Sequence, residues 1–140
     1  MEKRIAIYLI CLAALACRDD SMDKNMEWIP LKVTATAYNS VPNQTSSIHP
    51  KITAWGDSIK PGVKWIAVSR DLLKKGLSYN TMVKIDTLEG IYLVKDKMHY
   101  RWLNRIDIYM GNDVQKAKEW GRKKLTIHYA VKKDSIEVQR

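Results

Sequence analysis

Two aspartates, Asp96 and Asp107, are the residues whose type and spacing could carry chemistry. They are eleven residues apart, and each lies at or near the end of a short segment, 92–95 or 106–109, in which apolar and polar residues alternate. Such alternation predicts half-buried β-strands. If a hairpin-like or crossover loop joins the two strands, the two carboxyl groups approach each other in space. Neighbouring carboxylates beside apolar strands have separated pKa values, which general acid/base catalysis requires.

On spacing alone, a structural role is the simpler explanation of the same two aspartates. Aspartates at strand ends accept hydrogen bonds from backbone N–H groups or pair with cations, and Lys95, Arg101 and Arg105 lie nearby in the sequence. Ion pairs of this kind also shift the pKa values of carboxylates. The spacing alone therefore leaves acid/base chemistry and structural pairing open.

Short motifs occur in a fixed order around these two aspartates. They are TATAYNS (34–40), TAWGDSIKPG (53–62), IAVSRDLL (66–73), VKDKM (94–98), RIDIYMG (105–111), EWG (119–121) and LTIHY (125–129). In order and spacing they resemble the 3D domain, a family named for three aspartates. That family is related to the barrel domain of MltA-type lytic transglycosylases and to RlpA-like and expansin-like barrels. The resemblance implies a mainly β fold, a six-stranded double-psi β-barrel with one or two short helices, acting on peptidoglycan.

The resemblance assigns catalytic roles to three aspartates. Asp107 resembles the lone catalytic acid of MltA-like enzymes, Asp96 a carboxyl group that tunes it, and Asp71 a third member. Ser69 stands where the family's first aspartate usually follows the alanine-valine pair, two residues before Asp71. A shifted backbone could bring Asp71 to the same place, or Ser69 could cap a short helix in which Asp71 is an ordinary residue. Both interpretations stay open.

A second departure from the family pattern follows Asp96. A glycine pair usually stands there and lets the backbone approach the ligand, whereas this chain has Lys97 and Met98. The subsite must therefore be built differently.

The resemblance also predicts residues that bind substrate. Thr53 and Trp55 match a segment that lines the groove, although an indole at this position could either stack on a sugar ring or fill the core. An aromatic and cationic loop supplies groups for sugar faces and for the carboxylates of stem peptides. Its predicted contacts are Tyr100, Arg101, Trp102 and Arg105.

The first sixteen residues have the pattern of a signal peptide. Lys3 and Arg4 precede a twelve-residue apolar run that is too short to span a bilayer. Residues 14–17, ALAC, resemble a lipobox, which implies cleavage before Cys17 and its acylation; the alternative is a cysteine near an ordinary cleavage site. We expect an exported lipoprotein of the cell envelope, held in the outer membrane through Cys17.

Length and composition fit one small exported domain. The 140 residues suffice for one domain with a core but not for two. We predict a signal peptide over 1–16, a tether over 17–29, the barrel over 30–131 and a flexible tail over 132–140. Because Cys11 is removed with the signal peptide, the folded domain has no cysteine nucleophile.

Charge and histidine spacing restrict the partners. The net charge of +9 favours polyanionic partners, and an exported chain meets peptidoglycan and acidic envelope polymers rather than nucleic acid. His49, His99 and His128 lack the spacing of metal ligands. We therefore expect a monomer that binds peptidoglycan, with no cofactor, no metal and no nucleic acid.

Three functions are compatible with these patterns. The resemblance implies a lytic transglycosylase that cleaves the bond between N-acetylmuramic acid and N-acetylglucosamine, because one acid suffices when the muramyl 6-hydroxyl is the nucleophile. The altered glycine pair, and the lack of the large second domain of MltA-type enzymes, fit instead a noncatalytic wall-binding or wall-loosening module. A basic nucleic-acid-binding barrel is the third function, and it requires that residues 1–16 are not a signal peptide.

Overall fold

The computed structural model describes residues 25–39 and 52–137, which form six strands and three short helices. The strands are β1 (Met26–Tyr38), β2 (Trp65–Val68), β3 (Met82–Ile85), β4 (Tyr92–Lys97), β5 (Arg105–Tyr109) and β6 (Lys123–Lys132). The helices are α1 (Arg70–Lys74), α2 (Val114–Trp120) and α3 (Lys133–Glu137).

The six strands close into one barrel in the order β1, β5, β2, β4, β3, β6. The pairs β1–β5 and β2–β4 are parallel, and the other four pairs are antiparallel. Parallel neighbours need crossover connections, so the chain passes over the barrel between them. The predicted mainly β, six-stranded double-psi barrel is confirmed. The described residues form three short helices, one more than the sequence predicted at most.

Alternation along the strands separates a buried face from an outward face. In β1 the buried Val33 and Ala35 alternate with the less buried Thr34 and Thr36. β-branched side chains favour strands because they pack well on a pleated surface, and burying each one fully contributes about 1.5–3 kcal/mol. The fully buried β-branched residues of the six strands are Ile66, Val68, Val83, Val94, Ile106, Ile108 and Ile127.

The connection between β4 and β5 decides how the two aspartates meet. The two strands are not neighbours in the barrel, because β2 lies between them and pairs with both. A hairpin between Asp96 and Asp107 is therefore excluded, and the crossover alternative is the correct one.

The ends of the barrel differ from the predicted boundaries. β1 already begins at Met26, within the segment assigned to the tether, and Met26 pairs with Lys132 at the end of β6. α3 follows directly, in the segment assigned to the tail. The predicted signal peptide and Cys17 lie outside the described residues. Within those residues, no helix has the length and apolar character needed to cross a bilayer.

Candidate functional site

Four residues form a row across four neighbouring strands. The register pairs Thr36 of β1 with Asp107 of β5, Asp107 with Ala67 of β2, and Ala67 with Asp96 of β4. Directly paired residues lie on the same face of a sheet, and both chain neighbours of Asp107 are fully buried isoleucines. The row therefore lies on the outer face of the barrel, with only the small side chain of Ala67 between the two aspartates. We call these four residues the acidic row.

A β-bulge in β4 brings Asp96 into the acidic row. Ile66 pairs with Val94, but the next residue, Ala67, pairs with Asp96, so that Lys95 is the extra residue. Without the bulge, strict alternation from the buried Val94 would place Asp96 on the interior face. One inserted residue thus puts the second carboxyl group beside the first.

Asp107 has the properties of a general acid. Its Oδ1 accepts a hydrogen bond of 2.9 Å from the Thr36 hydroxyl. Burial raises the pKa of Asp107, and the charge of Asp96 raises it further; the Thr36 hydrogen bond and the Arg105 guanidinium oppose this without reversing it. The carboxyl group therefore keeps its proton to a higher pH than an ordinary aspartate.

Asp96 also holds a neighbouring loop in place. Its Oδ1 accepts backbone N–H hydrogen bonds from Ala54 at 2.7 Å and from Lys97 at 2.8 Å. Burial raises the pKa of Asp96 above its ordinary value in spite of these two bonds. The carboxyl group thereby fixes the loop 52–58, which is closed by a bridge between its first and last residues, against the acidic row.

Tyr38 is a residue of this site that the sequence did not reveal. It lies two residues after Thr36 on the same face of β1, and its ring packs 5.4 Å from that of Tyr109. The Tyr38 hydroxyl is buried and has no hydrogen-bond partner among the described residues. Burial raises the pKa of Tyr38, and the nearby Asp96 and Asp107 raise it further. The phenol therefore stays protonated and keeps a hydrogen to donate.

Asp71 lies apart from the acidic row. Its Oδ2 accepts the backbone N–H of Asn104 at 2.9 Å, just before β5 begins. Burial raises the pKa of Asp71, but hydrogen bonds from Ser69 and from the Asn104 backbone outweigh it and bring the pKa below its ordinary value. Ser69 stands at the N-cap position of α1, yet its side chain makes no capping bond and accepts the N–H of Arg105.

The two predicted substrate residues of the loop 52–58 differ in exposure. Thr53 is 5% exposed, and its hydroxyl accepts the backbone N–H of Asp57, so it stabilises the turn. Trp55 packs partly against the core and partly against Tyr79, with ring centroids 5.3 Å apart. The ammonium of Lys97 lies 5.1 Å from the Trp55 ring centroid. Trp55 is therefore both a packing residue and a surface beside Asp96.

The predicted residues of the loop before β5 separate into two groups. Tyr100 is 73% exposed and its ring packs 4.2 Å from that of His99, while Arg101 is also exposed. Trp102 is half-buried, with the buried Arg105 guanidinium 3.9 Å from its ring centroid. Arg105 comes two residues before Asp107 in β5, so this stacked pair lies next to the acidic row.

The described residues contain no group of three His, Cys, Asp or Glu side chains arranged to hold a metal ion. The acidic row itself offers a carboxyl group with a raised pKa, together with a hydroxyl, a phenol and nearby cations.

The comparisons with known proteins yield structural neighbours only. No family profile matches this chain, and no curated protein matches it. It is similar to the apo expansin of Clavibacter michiganensis, with a TM-score of 0.46, 16% identity, and coverage of 75% of this chain and 52% of that one. A mutant of that expansin in complex with cellohexaose gives a TM-score of 0.45, 15% identity, and coverage of 74% and 51%. The chain spans about half the length of these expansins.

Proposed function

We propose that the acidic row acts on the glycan strands of peptidoglycan as a lytic transglycosylase, with Asp107 as its single acid/base. One observation carries the proposal: Asp107 lies on the outer face of the barrel, partly buried, with a raised pKa and one hydroxyl donor. A carboxyl group in this state can give a proton and take one back. The resemblance of the motif order to that of the 3D and MltA-type families supports the choice of substrate.

The reaction needs one proton carrier. Protonated Asp107 donates its proton to the glycosidic oxygen as the bond between that oxygen and C1 of the muramyl residue breaks. The muramyl 6-hydroxyl oxygen then forms a bond to C1, and its proton passes to the Asp107 carboxylate. The products are a 1,6-anhydromuramyl end and an N-acetylglucosamine with a free 4-hydroxyl. No water is consumed, and the acid is regenerated.

The neighbours of Asp107 have separate roles in this reaction. Thr36 hydrogen bonds to the carboxylate and so stabilises it between the two proton transfers. The nearby Arg105 charge acts in the same direction. The Tyr38 hydroxyl is buried and has no partner among the described residues, and we assign its hydrogen to an oxygen of the glycan once binding uncovers this hydroxyl.

The geometry of Asp96 favours a transglycosylase over a hydrolase. Retaining and inverting hydrolases need a second carboxylate that attacks the sugar or activates water. One oxygen of Asp96 is already engaged by the N–H groups of Ala54 and Lys97, so the group fixes a loop and raises the pKa of Asp107.

Export and anchoring belong to the same proposal. Peptidoglycan is reached by an exported chain, and acylation of Cys17 would hold the barrel at the outer membrane within reach of the wall. We propose a monomeric lipoprotein.

A noncatalytic glycan-binding or wall-loosening module is the second candidate function. The observation that favours it is the packing of Lys97 on Trp55 beside Asp96, which fills the place where the resemblance expects a glycine pair. A groove altered in this way could bind a strand without cleaving it.

Digestion of purified peptidoglycan by the full chain separates the two candidates. We expect soluble fragments with anhydromuramyl ends in mass spectrometry, and their loss in Asp107→Asn. The matched control is Asp86→Asn. Asp86 is exposed, and its Oδ1 lies 3.7 Å from Nδ1 of His128, away from the acidic row. Fragments with reducing ends would mean a hydrolase. Binding without fragments would establish the noncatalytic module.

A further inference from the structure

Lys97 and Trp55 form a feature that the proposed reaction does not use. Lys97 is the last residue of β4 and follows Asp96 directly. Its side chain is half-buried and lies over the half-buried Trp55 ring, in the loop that Asp96 fixes. The pair therefore borders the acidic row at the Asp96 end.

The Lys97 ammonium can pair with a ligand, whereas the ammonium of Lys95, two residues earlier, is already paired within the protein. Lys95 forms a salt bridge of 3.3 Å with Asp57 and a hydrogen bond of 3.0 Å with the Tyr79 hydroxyl. In residues 25–39 and 52–137 Lys97 forms no salt bridge. Its charge acts on Asp96, whose carboxyl group already accepts two backbone N–H groups.

The charge pattern along the acidic row points to an anionic ligand. Two carboxyl groups alone would repel a ligand that carries carboxylates. Arg105 stands on the Asp107 side and Lys97 on the Asp96 side, so a cation borders the row on both sides. Arg105 is buried under Trp102, whereas Lys97 is partly exposed and can turn its ammonium from the indole to a ligand.

We propose that Lys97 and Trp55 form a subsite that binds a carboxylate carried by a substituent of the glycan strand. The ammonium pairs with the carboxylate, and the indole packs against the apolar part of the same substituent or the adjoining sugar face. In peptidoglycan the lactyl-linked peptide of the muramyl residue is such a substituent. The inference rests on the proposed peptidoglycan substrate and makes Lys97 the residue that distinguishes it from a neutral glycan.

The test measures binding of the full chain to two forms of one polymer. Native peptidoglycan has free carboxylates, and carbodiimide amidation removes those charges without changing the glycan backbone. Lys97→Gln removes the charge, and Lys97→Arg restores it at the same site. The matched control is Lys84→Gln, because Lys84 also lies over an indole, 3.8 Å from the Trp28 ring centroid, but on β3 where it pairs with β6.

We expect Lys97→Gln to weaken binding to native peptidoglycan about tenfold, as loss of one charge-assisted hydrogen bond predicts. The variant should bind native and amidated material alike, while Lys97→Arg and Lys84→Gln should keep the preference for native material. Equal binding of both polymers by the unmodified chain would overturn the subsite but leave peptidoglycan cleavage standing. Charge-selective binding without anhydromuramyl products would leave the subsite standing and overturn the transglycosylase. Failure to bind either polymer would overturn both.

Discussion

Asp107 and Asp71 belong to the same barrel, but their surroundings shift their pKa values in opposite directions. Asp107 lies in the middle of a strand, between fully buried neighbours, with one hydroxyl donor and a second carboxyl group nearby, and its pKa is raised. Asp71 lies in a short helix, with a backbone N–H and the Ser69 hydroxyl as donors, and its pKa is lowered. The first can act as an acid, and the second fixes a loop.

The difference shows that burial and hydrogen-bond donors together set the pKa of each aspartate. Hydrogen bonds to a carboxylate stabilise its charged form, while burial destabilises it. Asp96 is intermediate, because it has two backbone donors and is still buried enough for its pKa to be raised. The three aspartates therefore share a residue type but differ in their surroundings, and we predict that Asp71 takes no part in the reaction.

The largest contrast should appear in catalysis. Asp107→Asn removes the proton carrier and should reduce peptidoglycan cleavage by at least about a hundredfold, the usual contribution of a general acid. Asp71→Asn keeps an oxygen to accept the Asn104 N–H and should change the rate by less than about threefold. Rates of anhydromuramyl product release from the two full-length variants check this. Equal losses in both variants would mean that Asp71 belongs to the reaction.

For the free energy of unfolding, we expect the Asp71 substitution to have the larger effect and the Asp107 substitution the smaller one. Asp71→Ala leaves the exposed Asn104 N–H without its protein acceptor and should lower the free energy of unfolding by about 0.5–1.5 kcal/mol, the net contribution of one hydrogen bond. Asp107→Asn should leave the free energy of unfolding nearly unchanged, because an amide of the same shape replaces a partly buried carboxyl group. Urea unfolding followed by circular dichroism measures both values. A larger loss in Asp107→Asn would show that Asp107 is mainly a structural residue.

Tyr38→Phe tests whether a residue beside the acidic row contributes to binding rather than to stability. Removing a hydroxyl without a protein partner should not lower the free energy of unfolding, but it should weaken peptidoglycan binding by roughly two- to tenfold, the value of one hydrogen bond. Thermal unfolding and a binding assay on the same variant check the two parts. If Tyr38→Phe loses about 2 kcal/mol of stability with unchanged binding, the hydroxyl has a structural partner instead.

The smallest effect should be the pH dependence of stability. The raised pKa of Asp107 contributes stability that is complete below the unfolded value of about 3.9 and is lost as pH rises through the folded pKa. Relative to the unmodified chain, Asp107→Asn should therefore gain stability over that rise. The lowered pKa of Asp71 contributes stability that is present above about 3.9 and is lost as pH falls through the folded pKa. Asp71→Asn should therefore lose relative stability as pH rises.

Unfolding free energies measured between pH 3 and pH 8 give the two difference curves. Slopes of opposite sign are expected for the two variants. Slopes of the same sign would show that the two carboxyl groups have similar surroundings.

The sequence predicts the strands well because alternation is local. It indicates the two strands that carry Asp96 and Asp107, which the structure has as β4 and β5. It could not show that β2 lies between the two carboxyl groups, because strand order depends on crossovers that no short pattern encodes. Nor could it show the bulge at Lys95, which turns Asp96 outward.

The residues missed at the site have a common physical reason. Thr36 and Tyr38 belong to the regular alternation of β1, and nothing in that alternation tells which outward residue will face β5 at the height of Asp107. A motif places Asp71 with the other two aspartates. Its hydrogen bond from the Asn104 backbone N–H could not be predicted, because it joins residues 33 positions apart in the sequence. Pairing between strands that are distant in the sequence therefore decides which residues form the acidic row.

The most direct test of Asp107 as the groove acid is a titration of the aspartate carboxyl carbons by NMR in the isotopically labelled full chain. We predict that Asp107 titrates above the ordinary aspartate range and Asp71 below it, and that removing the Thr36 hydroxyl with Thr36→Val raises the pKa of Asp107 further. An Asp107 pKa at or below that of Asp71 would contradict the assignment of Asp107 as the acid.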